Sequence, residues 1–355
     1  MLGIAIWCVV PAPTLVLLPL AVAVPELAVP LFAVALVLSV ALVLLARGRT
    51  RIVLTVICAS ALAALAVAPA QAPATWSRSG ALLAMRGFGP ARAVTLGTID
   101  ETRDLRVPLR DGGELALDLY RPHGSANVPL IVTIYGGAWH FGSRTDEAPL
   151  ARWYASRGFA VAAIDYRHAP AHRFPAQIDD VDDALNVLAR RADAWHIDAD
   201  RTVFFGRSSG AQLALLAGER HQLLNVRGIV AYYAPTDLID GWKHPPVPDP
   251  AGVRNILETY LGGPPDAAHI VRYRAAAPLQ NARAGMPPVL AIIGDRDELV
   301  RPAFQRTFAA RLDALHVRNV AIELPWSNHA FDAVSGLGAA IARDATLRFI
   351  DSLLL

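Results

Sequence analysis

The first 75 residues of this 355-residue chain carry only four charged side chains, Glu26, Arg47, Arg49 and Arg51. Residues 27–45 read LAVPLFAVALVLSVALVLL, with no charge among them. As a helix rising 1.5 Å per residue this run extends about 28 Å, close to the hydrocarbon thickness of a bilayer. Residues 52–68, IVLTVICASALAALAVA, form a second uncharged run at the short end of the spanning range. Residues 1–24 are also uncharged but contain Pro11, Pro13 and Pro19. Prolines are tolerated in membrane helices where neighbours satisfy the freed carbonyls. The pattern therefore predicts two or three transmembrane helices, over about 2–24, 27–45 and 52–70. A secretory signal fits poorly, because it has a basic start, one apolar run of about 7–15 residues and a cleavage site. A soluble helical hairpin would need a polar face, and none exists.

Arg47-Gly48-Arg49-Thr50-Arg51 sets the expected orientation. Positive loops stay cytoplasmic, so an integral protein of the plasma or inner membrane is expected, with everything after the third run extracytoplasmic. Arg78 and Arg86 partly offset that bias. Residues 71–100 read as a linker: Ala68-Pro69-Ala70-Gln71-Ala72-Pro73-Ala74 is stiff and small, and a short amphipathic helix is expected near 80–86.

Beyond residue 100 the pattern changes to alternating strands and helices. Asp111-Gly112-Gly113 between two apolar runs signals a hairpin. Apolar strands are expected at 129–135, 159–164, 202–205, 228–233, 288–293 and 320–324. Helices are expected at 147–157, 176–191, 211–219, 303–315 and 339–353. Such alternation predicts an α/β domain over 101–355, a mostly parallel sheet of about eight strands covered on both faces. Residues 237–278 break the rhythm with Pro245-Pro246, Pro248, Pro250 and Pro264-Pro265. They are too long for an ordinary connection and read as a cap or pocket wall.

Composition narrows the function. Lys and Arg total 33 against 31 Asp and Glu, a net charge of +2. That leaves no basic excess for nucleic-acid phosphates. The two cysteines, Cys8 and Cys58, supply neither a disulfide framework nor a cysteine metal site.

Gly206-Arg207-Ser208-Ser209-Gly210 fits G-x-S-x-G. An apolar strand, Val203-Phe204-Phe205, leads in and a helix beginning Ala211-Gln212-Leu213 leads out. This strand–turn–helix setting exposes a nucleophilic hydroxyl, and glycines are needed where side chains would collide. The alternative is a plain Gly/Ser turn. Tyr135-Gly136-Gly137-Ala138-Trp139 follows another strand, and its small residues let backbone N–H groups approach a reacting oxygen; the N–H of Ser209 would be a further donor. In Gly294-Asp295-Arg296-Asp297 a carboxylate could orient an imidazole, although helix capping competes for Asp297. Of the ten histidines, His329 lies on the loop after the strand expected to be last, giving the chain order Ser…Asp…His.

Together these stations resemble an α/β-hydrolase of the hormone-sensitive-lipase-like carboxylesterase group. They are similar also to its bacterial feruloyl-esterase-like and kynurenine-formamidase-like relatives. Tyr135-Gly136-Gly137-Ala138-Trp139 with Gly142-Ser143 resembles H-G-G-G-W/F…G-S. Asp165-Tyr166-Arg167, Ala169-Pro170, Phe174-Pro175-Ala176 and Asp179-Asp180 resemble D-Y-R-L-A-P…F-P-A…D-D. Asn328-His329-Ala330-Phe331 resembles the H-G-F or H-A-F ending. In the family pattern the acid sits three residues after the glycine, which selects Asp297 over Asp295. The sequence departs from that pattern at Tyr135 (usually His), Ala138 and Ala211 (usually Gly) and Arg207 (commonly an acid).

The resemblance implies a serine hydrolase for carboxylic esters. Ser208 is the expected nucleophile, His329 the base and Asp297 its orienting acid. Gly137, Ala138 and Ser209 are the expected oxyanion donors. Trp139, Phe141, Trp242 and Trp326 are candidate pocket walls, with ordinary packing the alternative for each. No metal or cofactor is expected. The expected partners are a small-molecule or lipid ester and the membrane, with no nucleic acid. Acyl transfer, peptide cleavage and a non-catalytic scaffold are the competing readings, since fold alone fixes no substrate.

Overall fold

The computed structural model describes residues 2–220 and 223–355. Eight strands join in one sheet of order β1-β2-β4-β3-β5-β6-β7-β8. They are β1 (Ile99–Pro108), β2 (Glu114–Pro122), β3 (Val128–Ile134), β4 (Ala160–Ile164), β5 (Ile197–Arg207), β6 (Val226–Tyr232), β7 (Val289–Gly294) and β8 (Asn319–Leu324). The Asp111-Gly112-Gly113 turn closes the antiparallel β1–β2 hairpin, and β2 pairs antiparallel with β4. All other pairings are parallel.

The apolar strands are continuous because both faces are covered. Leu130, Val132 and Ile134 of β3, with Phe204 and Ile229, join one core with α6 (Ala176–Arg191) and α7 (Ser209–Arg220). Ile131, Val203, Phe205 and Val230 point the other way, into a core with α5 (Ala148–Ala155) and α13 (Leu337–Leu354). The parallel arrangement brings the loops after β3, β5, β7 and β8 to one edge of the sheet, where open α/β sheets bind ligands. The 237–278 segment forms α8 (Leu238–Lys243), α9 (Val253–Leu261) and α10 (Ile270–Ala276). Helices α11 (Pro278–Asn281) and α12 (Pro302–Ala314) complete the domain.

The N-terminal part departs from three expectations. Residues 2–24 do not form one spanning helix. They make α1 (Leu2–Ala5), a 3₁₀ turn at Ile6–Cys8 and α2 (Leu18–Glu26), with irregular chain between. Pro11 and Pro13 lack N–H donors and push the preceding residues out of the helical region. The segment docks on the α/β domain instead: Ala12, Leu18 and Val22 cluster with Leu299.

The next helix, α3 (Ala28–Leu45), agrees with the 27–45 run. The third run does not stop near residue 70, and no linker follows it there. Helix α4 runs from Gly48 to Met85, 38 residues, through Pro69 and Pro73. Its length is about 57 Å. The intervening alanines favour helix, and tertiary contacts fix its C-terminal half. Trp76 Nε1 donates to Asp344 Oδ2 at 3.1 Å and Arg348 Nη2 donates to the Gly80 carbonyl at 3.2 Å; just past the helix end, Phe88 meets Phe349 at 4.7 Å between ring centroids. Both α3 and α4 are long and apolar enough to cross a membrane.

Candidate active site

Ser208 sits between β5 and α7 with φ of +51°, in the left-handed region. The turn is held open by glycines. A side chain at Gly206 would collide with the backbone of Gly210 and Ala211, and one at Gly210 with the carbonyls of Ile134 and Tyr135. The turn therefore lifts Ser208 Oγ off the sheet edge, where His329 Nε2 lies 3.0 Å away.

His329 Nδ1 faces Asp297 Oδ2 at 2.8 Å. Asp297 Oδ1 accepts from the N–H groups of Leu299 (2.8 Å) and Val300 (2.7 Å), so the carboxylate also caps its own loop. Asp295 points elsewhere, to Arg306 at 2.8 Å. Asn328 ties the two loops together: its Oδ1 accepts from the N–H groups of Glu298 (3.0 Å) and His329 (2.7 Å). Ser208, His329 and Asp297, from three separate loops, are thus brought into one line.

The loop after β3 passes close to Ser208. Gly137 has φ of +146°, and a side chain there would strike the carbonyl of Phe141. Ala138 (φ +52°) and Trp139 (φ +62°) continue the turn. Among the described residues, the N–H groups of Gly137, Ala138 and Ser209 engage no acceptor. Tyr135 shapes this loop from below: it stacks on Tyr166 at 4.4 Å, and its hydroxyl donates to the Tyr166 carbonyl at 3.1 Å and meets His168 Nε2 at 2.9 Å. Arg167 braces the adjoining loop through Asp180 at 2.7 Å.

The sequence pointed to an odd arginine beside Ser208, and the structure supplies its partners. Arg207 pairs with Glu147 (2.6 Å) and Asp332 (2.5 Å). Burial works against its charge, but Asp332 and Glu147 outweigh burial and hold the guanidinium well above its ordinary range. Asp332 also accepts from the Tyr233 hydroxyl at 2.5 Å, and the Tyr233 ring lies 4.5 Å from the His329 ring. Burial and the Asp332 charge keep that phenol protonated. Tyr233 was not foreseen, because a tyrosine at the end of the apolar run 228–233 reads as core.

Two spaces open beside Ser208. One, of 70 Å³, is walled by Ala138 and Trp139 and by Leu238, Val253 and Leu257 of the 237–278 segment. The other, of 810 Å³, includes Phe141, Arg207, Tyr233, His329 and residues of α2. Trp139 lines the smaller space and Phe141 the larger. Trp242 and Trp326 are corrections. The Trp242 indole donates to Glu258 Oε1 at 2.7 Å, and neither cavity touches it. Trp326 is 2% exposed and packed in the core with Leu324 and Phe331.

The N-terminal segment was also missed as a site element. Glu26 is the only acidic residue before Asp100, and a lone acid in an apolar run signals a dedicated partner. Its carboxylate accepts from Ser327 Oγ and from the Gly338 N–H at 2.6 Å. Glu298 Oε2 accepts from the Ala12 N–H at 2.8 Å, and Arg296 donates to the Cys8 carbonyl. Three clasps thus fasten residues 8–26 to the loops that carry Asp297 and His329.

Known proteins bear on this geometry. The chain is 30% identical over 263 residues to Esterase LipC of Mycobacterium tuberculosis, covering 69% of this chain and 64% of the relative. It is 28% identical over 291 residues to the Probable carboxylic ester hydrolase LipM of the same organism, covering 75% and 66%. The chain thus spans about two thirds of the length of these curated relatives. In fold it is similar to a hyperthermophilic esterase from the archaeon Pyrobaculum calidifontis, with TM-score 0.61 and 23% identity over 80% of this chain and 94% of that one. A bacterial heroin esterase gives TM-score 0.64 and 23% identity over 80% and 92%. These likenesses establish the α/β-hydrolase fold. Residues 117–312, just over half of the chain, match the BD-FAE family model, and the chain belongs to the BD-FAE family.

Proposed function

We propose that this chain is a membrane-anchored serine hydrolase that cleaves carboxylic esters through an acyl-enzyme. The observation that carries the reading is the line Ser208 Oγ–His329 Nε2–Asp297, at 3.0 Å and 2.8 Å, beside three unengaged N–H groups. His329 takes the Ser208 proton as Oγ attacks the ester carbonyl, and Asp297 holds the imidazole in the tautomer that makes this possible. The N–H groups of Gly137, Ala138 and Ser209 hold the oxyanion; one such donor is worth roughly 10²–10³ in rate. His329 then protonates the leaving alcohol. A water, deprotonated by His329, releases the acid and restores Ser208. The curated relatives' ester-cleaving names support the same reaction class.

The membrane part of the reading rests on α3 and α4. With Arg47, Arg49 and Arg51 on the cytoplasmic side, both the N-terminal segment and the hydrolase domain lie outside. The test is hydrolysis of an ester series of rising acyl length by the full chain in detergent, beside Ser208→Ala. Hydrolysis that the substitution abolishes is the expected result. Equal rates in both proteins would reject the assignment.

A further inference from the structure

The two spaces at Ser208 differ in origin as well as size. The 70 Å³ pocket is built wholly from the hydrolase domain. The 810 Å³ groove is not: one wall is Leu15, Leu18, Pro19, Val22 and Ala23. Those residues belong to α2 and the chain just before it, immediately preceding α3. They are held there by Glu26, Ala12 and the Cys8 carbonyl on the loops of His329 and Asp297. Gly336 and Gly338 are shaped to this contact, since a side chain at either would strike Glu26.

This wall, with Val16 beside it, presents apolar side chains outward. Val16 is 85% exposed and Leu15 55%, and Phe141 across the groove is 65% exposed. Bare large side chains around a cavity mouth mark a surface that meets something apolar. The position says what. Helix α3 starts two residues after Glu26 and runs 18 residues, about 27 Å, to the arginine loop. If α3 crosses the bilayer, the groove mouth sits at the outer membrane surface.

We propose that this groove takes the long hydrocarbon chain of a membrane lipid ester, with residues 15–23 as a substrate-binding wall rather than part of an anchor. The inference rests on the membrane-anchored esterase reading above. A short ester fills the small pocket and leaves the groove empty. A long chain runs from Ser208 between Phe141 and Val22 toward the bilayer. Each methylene buried there is worth roughly fourfold in binding.

The direct test uses the full wild-type chain in phospholipid nanodiscs and a dodecyl fluorophosphonate carrying a diazirine at the far end of its chain. Reaction at Ser208 fixes one end, and light then fixes the other. Crosslinks in the peptide covering residues 9–26 are expected. Crosslinks confined to 238–261 would overturn the inference while leaving the hydrolase reading intact. No reaction at Ser208 would overturn both. A second test compares kcat/KM for 4-nitrophenyl dodecanoate and butyrate. Val22→Trp, which fills the groove, lowers that ratio at least tenfold. An unchanged ratio in a variant that melts with the wild type also overturns the inference.

Discussion

Asp297 divides its two oxygens between two tasks. One faces His329 Nδ1, and the other caps the N–H groups of Leu299 and Val300. Asp297→Asn keeps an acceptor for the cap but offers an N–H to His329 Nδ1, which forces the wrong tautomer. We expect kcat on a butyrate ester to fall roughly 10³–10⁴-fold with the melting temperature nearly unchanged. Retention of a tenth of the activity would contradict the role given to this carboxylate. The serine was legible in the sequence because Gly206 and Gly210 are the residues that its tight turn demands. The acid was not legible from residues alone: Asp295 and Asp297 follow the same strand, and only the family resemblance separated them. Trp242 and Trp326 misled because a large aromatic near a motif has the same signature whether it lines a pocket or fills a core.

Between residue and molecule, the element that decides most is the segment ending at Glu26. Burial pushes the Glu26 carboxyl up to about 7, opposed by its hydrogen bonds to Ser327 and Gly338. The folded state therefore binds the proton more tightly than the unfolded chain does. Stability from this group is fully present below about pH 4.5 and is lost as pH rises through about 7. Glu26→Gln, permanently neutral, should remove that dependence, so that wild type loses melting temperature relative to the variant between pH 5 and pH 8. Thermal unfolding of the full chain in detergent at several pH values reads this out; parallel curves would refute it. The strands, the helices of the α/β domain and the prolonged 237–278 insertion follow from local pattern. The docking of residues 8–26 does not, because its partners Arg296, Glu298 and Ser327 lie far along the chain. The course of α4 through Pro69 and Pro73 was hidden for the same reason: α13, at the opposite end of the sequence, holds it.

At the scale of the whole molecule, α4 is long enough to serve as both span and stalk in the proposed reading. About 30 Å of its length matches a hydrocarbon core, and the remainder lies on α13 through Trp76, Gly80 and Leu83. A continuous helix fixes the height of the domain, which a flexible linker would not. The expected topology is checked with a tag placed after Leu355: external protease should remove it from sealed spheroplasts. Protection until the membrane is broken would reverse the orientation. The central claim, however, is that Ser208 is a nucleophile driven by His329 and Asp297. Its most direct test is intact-mass and peptide analysis of the full chain after exposure to a fluorophosphonate. The account predicts one adduct, located on Ser208, and none in Ser208→Ala. A folded wild-type chain that stays unmodified, or carries its adduct elsewhere, would contradict it.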